Sequence, residues 1–277
     1  MNNVQHLKAI TKRIHSLPTL PHVVKKLTSM VESPDVSAKD IGKLISSDQV
    51  LSAKVLRLVN SPFYGFPGRI SSISHAIILL GFNVIKGVVL SASVFDLMEK
   101  SMLGLWSHSL GCAVASGSIS RRLGMKDPEE ISTAALLHDI GKVIIRVCLS
   151  DEFDKIADLV KNKQILFKDA ELEVLGVDHT EIGSWLAKEW NLPERLSIPI
   201  TYHHTPELSK TLQDRVAVVH VADSIVRAFG IGRGGDPWVP RISPVAWDLL
   251  GMDSIDLNSL MEQVAIDLQD VESTQLN

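Results

Sequence analysis

Apolar residues recur at three- and four-residue intervals along most of the chain, with no hairpin signal, internal repeat or low-complexity run to interrupt them. That period marks one face of an α-helix, so the expected fold class is all-α. Leu7, Ile10 and Ile14 share a face before the break Leu17-Pro18-Thr19-Leu20-Pro21. Val23, Val24, Leu27, Met30 and Val31 repeat the spacing up to Ser33-Pro34-Asp35. Ser37, three residues before Asp40, reads as a capping box that starts the next helix. Asp48 caps another over 49–60, with Val50, Leu51, Val55, Leu58 and Val59 facing inward.

Ser61 to Gly68 holds two prolines and two glycines and is a loop. Its Phe63, Tyr64 and Phe66 either form a partner-binding patch or fold back onto the N-terminal helices; the second is the expectation. Helices resume near Ser74 and again after Gly81 to about Met98. Residues 101–123 read as a long helix rich in small residues, and Asp127-Pro128 opens the helix that ends at His138-Asp139. Residues 142–149 are ambiguous, because Val143, Ile144, Ile145 and Val147 favour strands; the helical surroundings make helix the expectation. Further helices are expected near 151–163, 168–175, 179–190, 193–204, 212–229, 243–250 and 254–270, with a flexible glycine-rich loop over 231–237.

Composition narrows the class. At 277 residues, with 45% hydrophobic and 22% charged residues, the chain is not mainly disordered and can bury a large core. Two cysteines are too few for a disulfide framework and point to a reducing cytoplasm. A net charge of -4 argues against direct nucleic-acid binding. The charge is split: residues 1–100 carry twelve Lys and Arg against six Asp and Glu, and the remainder is acidic. A basic part docked on an acidic surface and a set of solvated helix faces both fit that split; the second is preferred. The N-terminus MNNVQHLKAITKR has no apolar targeting segment, and Asn83 and Lys86 interrupt the apolar stretch 76–95. A core helix is therefore expected there, with no membrane contact.

Six of the ten histidines fall between His108 and His220. His138-Asp139 follows the apolar run Ala134 to Leu137, and Asp223 interrupts an apolar helix three residues after His220. A buried carboxylate needs a partner. Imidazole and carboxylate together are ligands for zinc, iron or manganese. His220 is either a neighbour of that site or, preferably, a packed core histidine. His6, His15, His22 and His75 read as solvent-facing or as local caps, Cys112 and Cys148 as buried small hydrophobes, and Trp185 and Trp190 as core.

The ordered set His108, His138-Asp139, His179, His203-His204, Asp223 resembles the HD superfamily of metal-dependent phosphohydrolases, including the signature His138-Asp139-Ile140-Gly141-Lys142. The segments 17–21, 33–37 and 45–61 further resemble the HDOD family, HD-related output domains of bacterial signalling proteins. The resemblance implies an HD-like helical subdomain over 98–277, carrying a C-terminal helical extension, behind an N-terminal helical part over 1–97. No receiver, kinase or DNA-binding pattern precedes it, so a stand-alone module is expected. The resemblance also implies one or two divalent ions, of iron, manganese or zinc. His108, His138, Asp139 and Asp223 would hold one ion; His179, His203 and His204 would hold a second, with Asp139 bridging. Asp139 and Lys142 would be the catalytic residues, Lys142 by neutralising phosphate charge.

Two departures separate the chain from the cyclic-di-GMP-cleaving relatives. Thr205-Pro206-Glu207-Leu208 follows the histidine pair where they carry Gly-Tyr-Pro, and Gly104 stands where they often place a glutamate. Cyclic-di-GMP cleavage is therefore not expected. The family tendency implies a regulatory protein that acts through a signalling partner or a nucleotide or phosphate ligand. The retained ligand set implies the alternative, a phosphohydrolase acting on a nucleotide or phosphodiester.

Overall fold

Local chemistry already visible in the sequence sets the first helix ends. In a computed structural model, described for residues 37–61, 69–102 and 104–273 together with Lys26, Leu27, Met30, Tyr64 and Phe66, helix α1 spans Ala38–Ser46. Its capping box forms as expected: Ser37 Oγ accepts from Asp40 N at 3.2 Å, and the Asp40 carboxylate accepts from Ser37 N at 3.3 Å. Helix α2, Gln49–Val59, starts where the Asp48 side chain accepts from Leu51 N. Leu51, Val55, Leu58 and Val59 are buried, but Val50 is 67% exposed, contrary to expectation. A residue next to that stripe is rotated about 100° away from it. The expectations for residues 6–24, Val31, 33–35 and Phe63 lie outside the described residues.

Asn60 closes the following loop by accepting from Ile70 N and donating to Ile70 O. Tyr64 folds back into the core, where its hydroxyl lies 3.1 Å from Thr133 Oγ1; Phe66 packs on the core edge. Helix α3, Ile73–Ser101, kinks at Gly81, whose φ of 78° and ψ of 166° leave the helical region. The part from Ile73 to Val94 is long and apolar enough to cross a membrane by length and composition, yet 67% of its most apolar window is buried inside the protein. Position 97/98 falls within α3.

Helix α4, Leu105–Arg122, begins four residues later than the sequence pattern indicates, after Gly104 in a left-handed conformation. It is buried from Trp106 to Ser120 apart from the half-buried Ser107, and its small residues let α5, Pro128–Leu137, pack closely on it. Burying side chains such as Leu110 and Ile119 there stabilises the fold by about 1.5–3 kcal/mol each. Asp127 does not cap α5; its carboxylate pairs with Arg195 and Arg215.

The ambiguous segment is helical: α6 spans Ile140–Cys148, with Val143, Ile144 and Ile145 buried and Cys148 only half-buried. There follow α7 (Ser150–Lys163), α8 (Phe167–Leu175), α9 (His179–Glu189), α10 (Glu194–Tyr202), α11 (Gln213–Ala228), α12 (Pro244–Leu249) and α13 (Leu257–Ser273). No strand occurs among the described residues. Helices α11 and α13 pack on α4, and α9 packs on both α6 and α10. Trp190 is buried and Trp185 packs at the core edge. His75 is exposed.

Candidate metal centre

Helix ends deliver most of the site. His138 ends α5, Asp139 precedes α6, His179 begins α9, and His203 ends α10 with His204 following. His108 and Asp223 come from the bodies of α4 and α11. Asp178 caps α9 by accepting from Thr180 N and Glu181 N, which fixes where His179 starts. Gly141 lets α6 approach α9: a Cβ there would lie 2.0 Å from His179 O.

The structure brings all seven predicted ligands together. Asp139 spans the cluster. Its Oδ2 lies 3.6 Å from His108 Nε2 and 3.4 Å from His138 Nε2. Its Oδ1 lies 3.2 Å from His179 Nε2 and 3.9 Å from His203 Nε2. Asp223 Oδ1 is 3.1 Å from His108 Nε2, and His204 Nε2 is 3.1 Å from His179 Nε2. All of these residues are buried except His204, which is half-buried.

The opposite ring nitrogens of His138, His179 and His203 are occupied by neighbours. His138 Nδ1 donates to Ala135 O at 2.6 Å, and His203 Nδ1 donates to Ile200 O at 3.0 Å. His179 Nδ1 donates to the Glu171 carboxylate at 2.5 Å, and His179 N donates to the same oxygen. Each bond puts the proton on Nδ1 and turns the Nε2 lone pair inward, the arrangement that orients metal-binding histidines. The inward atoms find no protons: His138 Nε2, His203 Nε2, Asp139 Oδ1 and Asp223 Oδ1 are buried without a hydrogen bond among the described residues. Converging lone pairs without donors between them fit a cation.

Protonation follows the same geometry. Burial holds His203 and His204 well below the usual histidine range, with neighbouring histidines adding to the effect. His108 is lowered by burial against the pull of Asp223 and Asp139. Burial works against ionising Asp139 and Asp223. Around Asp139, His138 and Lys142 outweigh it, and around Asp223, His108 does, so both stay well below the carboxylate range. His179 is the exception. Burial opposes its charge, but the Glu171 carboxylate prevails and raises it to about 9.

Lys142 is not a surface lysine. It is buried and donates to Asp139 Oδ2 and to Gly234 O, both at 2.7 Å. The glycine-rich segment over 231–237 is irregular, as expected, but it is held in place. Arg233 N donates to Gly104 O, and Asp236 accepts from Phe167 N, Trp238 N and the Arg227 guanidinium. His220 is a bracing histidine: Nδ1 donates to His203 O and Nε2 accepts from Ser243 N.

A cleft of about 740 Å³ opens on the cluster. His179, His204 and Lys142 line it together with Lys168, Arg227 and Arg241. Arg227 Nε is buried without a hydrogen bond among the described residues.

Comparison with known proteins decides the family. The HDOD domain profile matches residues 17–206, more than half of the sequence. The chain belongs to the HDOD family. An HDOD domain protein of unknown function from Geobacter sulfurreducens has a similar structure, with a TM-score of 0.73 and 29% identity over 99% of this chain and 100% of that one. A candidate phosphohydrolase from Shewanella amazonensis follows, with a TM-score of 0.68 and 25% identity over 96% and 97% of the two chains. An uncharacterized protein of Treponema pallidum is 27% identical over 226 residues, 79% of this chain and 44% of that protein. The HDOD chain thus spans less than half the length of that curated relative.

Glu171 and Arg227 escaped the sequence reading. Glu171 sits on an ordinary charged helix, Lys168 to Glu173, and nothing local marks it as buried. The one available signal for Arg227 is its position four residues after Asp223 on α11, where both share a face.

Proposed function

We propose that this HDOD protein holds one or two divalent ions of iron, manganese or zinc in the His/Asp cluster and hydrolyses a nucleotide or other small phosphodiester. The observation that carries this reading is the shared wall of the cleft: cluster residues His179, His204 and Lys142 face the same space as Lys168, Arg227 and Arg241. Bound ions of this kind lower the pKa of water and neutralise phosphate charge. The chain's own groups supply the rest. Asp139 offers one carboxylate oxygen to each half of the cluster. Lys142 holds Asp139 Oδ2 in position and adds positive charge beside it. Arg227 lines the cleft with a guanidinium whose charge suits a phosphate oxygen. Trp238, which also lines the cleft, supplies an aromatic face.

A second reading is regulatory: ligand binding without turnover, passed to a signalling partner in the cytoplasm. The segment that starts at Gly234 favours it. That segment touches Lys142, lines the cleft at Trp238 and Val239, and exposes both of those apolar side chains, 40% and 51%, at the surface.

The test is a turnover screen on the full chain. Nucleotides, cyclic dinucleotides and a generic phosphodiester are offered with iron, manganese or zinc, and wild type is compared with His138→Ala. Metal-dependent hydrolysis lost in the variant is the expected result. Tight ligand binding with no turnover selects the regulatory reading, and protein that takes up no stoichiometric metal defeats the hydrolytic one.

A further inference from the structure

Cys112 lies one helical turn after His108 on α4, so both side chains leave the same face. Its thiol is fully buried, and Sγ stands 3.6 Å from His108 Nε2. Ligand atoms of His108, Cys112, His138 and Asp223 all lie within 4.8 Å of one another. A sulfur about 2.3 Å and a nitrogen about 2.1 Å from one cation, at a tetrahedral angle, sit about 3.6 Å apart. The sulfur is therefore placed to join His108, His138, Asp139 and Asp223 as a further ligand. His138 Nε2 and Asp223 Oδ1 are buried in the same group without hydrogen bonds among the described residues, so this half of the cluster has unmet donor capacity beside the thiol.

Asp139 is shared between this half and the other. Its Oδ2, the oxygen nearer His108 and His138, already accepts from Lys142 Nζ at 2.7 Å. Its Oδ1 faces His179 and His203 in the other half.

We propose that Cys112 is a thiolate ligand to the ion held by His108, His138, Asp139 and Asp223, which makes this half of the centre a soft site favouring zinc or ferrous iron over manganese. The inference rests on the metal-centre reading above. On binding, the thiol proton leaves to solvent and the sulfur lone pair is given to the cation. The two halves then differ in kind. One contains sulfur, whereas the other is built from the imidazoles of His179, His203 and His204; Asp139 is shared by both.

Cobalt(II) added to metal-free, full-length protein under anaerobic conditions tests this, because sulfur-to-cobalt charge transfer absorbs in the near ultraviolet and nitrogen or oxygen ligation does not produce that band. Wild type and Cys148→Ser, which alters the thiol outside the cluster, should both show the band. Cys112→Ser and Cys112→Ala, checked for folding by circular dichroism, should bind cobalt without it and lose about tenfold or more of the preference for zinc over manganese. Cobalt bound by wild type without the band, or a band that survives in Cys112→Ser, overturns the assignment and leaves Cys112 as a packed thiol beside His108. Wild type that binds no cobalt at all overturns the metal-centre reading itself, and this inference with it.

Discussion

Glu171 illustrates what one buried carboxylate does at the residue scale. It takes both the backbone N–H and the ring Nδ1–H of His179, so the imidazole cannot turn and its Nε2 stays aimed at Asp139. Glu171→Gln keeps the size but removes the charge. It should weaken metal binding at the His179 half by about 10–100-fold, as measured by competition with a chelating dye. Gly141 acts through absence. Alanine there would drive a methyl into His179 O, so Gly141→Ala should cost about 1–3 kcal/mol in urea unfolding and weaken metal binding as α6 and α9 separate. The histidines and aspartates of the cluster were legible because their order along the chain matches a known pattern. Glu171 and Arg227 were not, since a charged residue in a polar stretch reads the same whether it faces water or a histidine across the fold. Cys112 was legible as buried, but its neighbours were not.

At the scale of elements, the site is assembled mainly from helix termini, where the chain changes direction and side chains leave the helical register. The starts were readable where a capping residue acts within three positions, as at Ser37 and Asp48. Asp127 shows the limit: it looks like a cap but pairs with Arg195, 68 residues away. Val50 shows another, because an apolar residue beside a stripe is not yet in it. The loop before α3 is anchored on α5 by Tyr64. Thr133 Oγ1 already donates to Glu129 O, so the Tyr64 hydroxyl donates to Thr133. Tyr64→Phe should lower stability by about 1 kcal/mol in denaturant titration while leaving metal content unchanged.

Over the whole molecule, the ligands come from six helices and their junctions, so folding and metal binding are thermodynamically linked. A metal present at about 100 times its Kd should stabilise the native state by about 2.7 kcal/mol, a rise of several degrees in Tm. Chelation should reverse the rise, and His138→Ala should reduce it, both readable by differential scanning fluorimetry. By itself the sequence determined the helical class, most helix positions, the HDOD resemblance and the ordered ligand set, because period, caps and motif order are properties of short stretches read along the chain. Only the tertiary structure decided that Lys142 is buried on Asp139, that Glu171 holds His179, and that the cluster opens into a basic cleft. Those facts depend on which helix ends meet, and that is settled by how apolar faces pack in three dimensions, where residues far apart in the chain become neighbours.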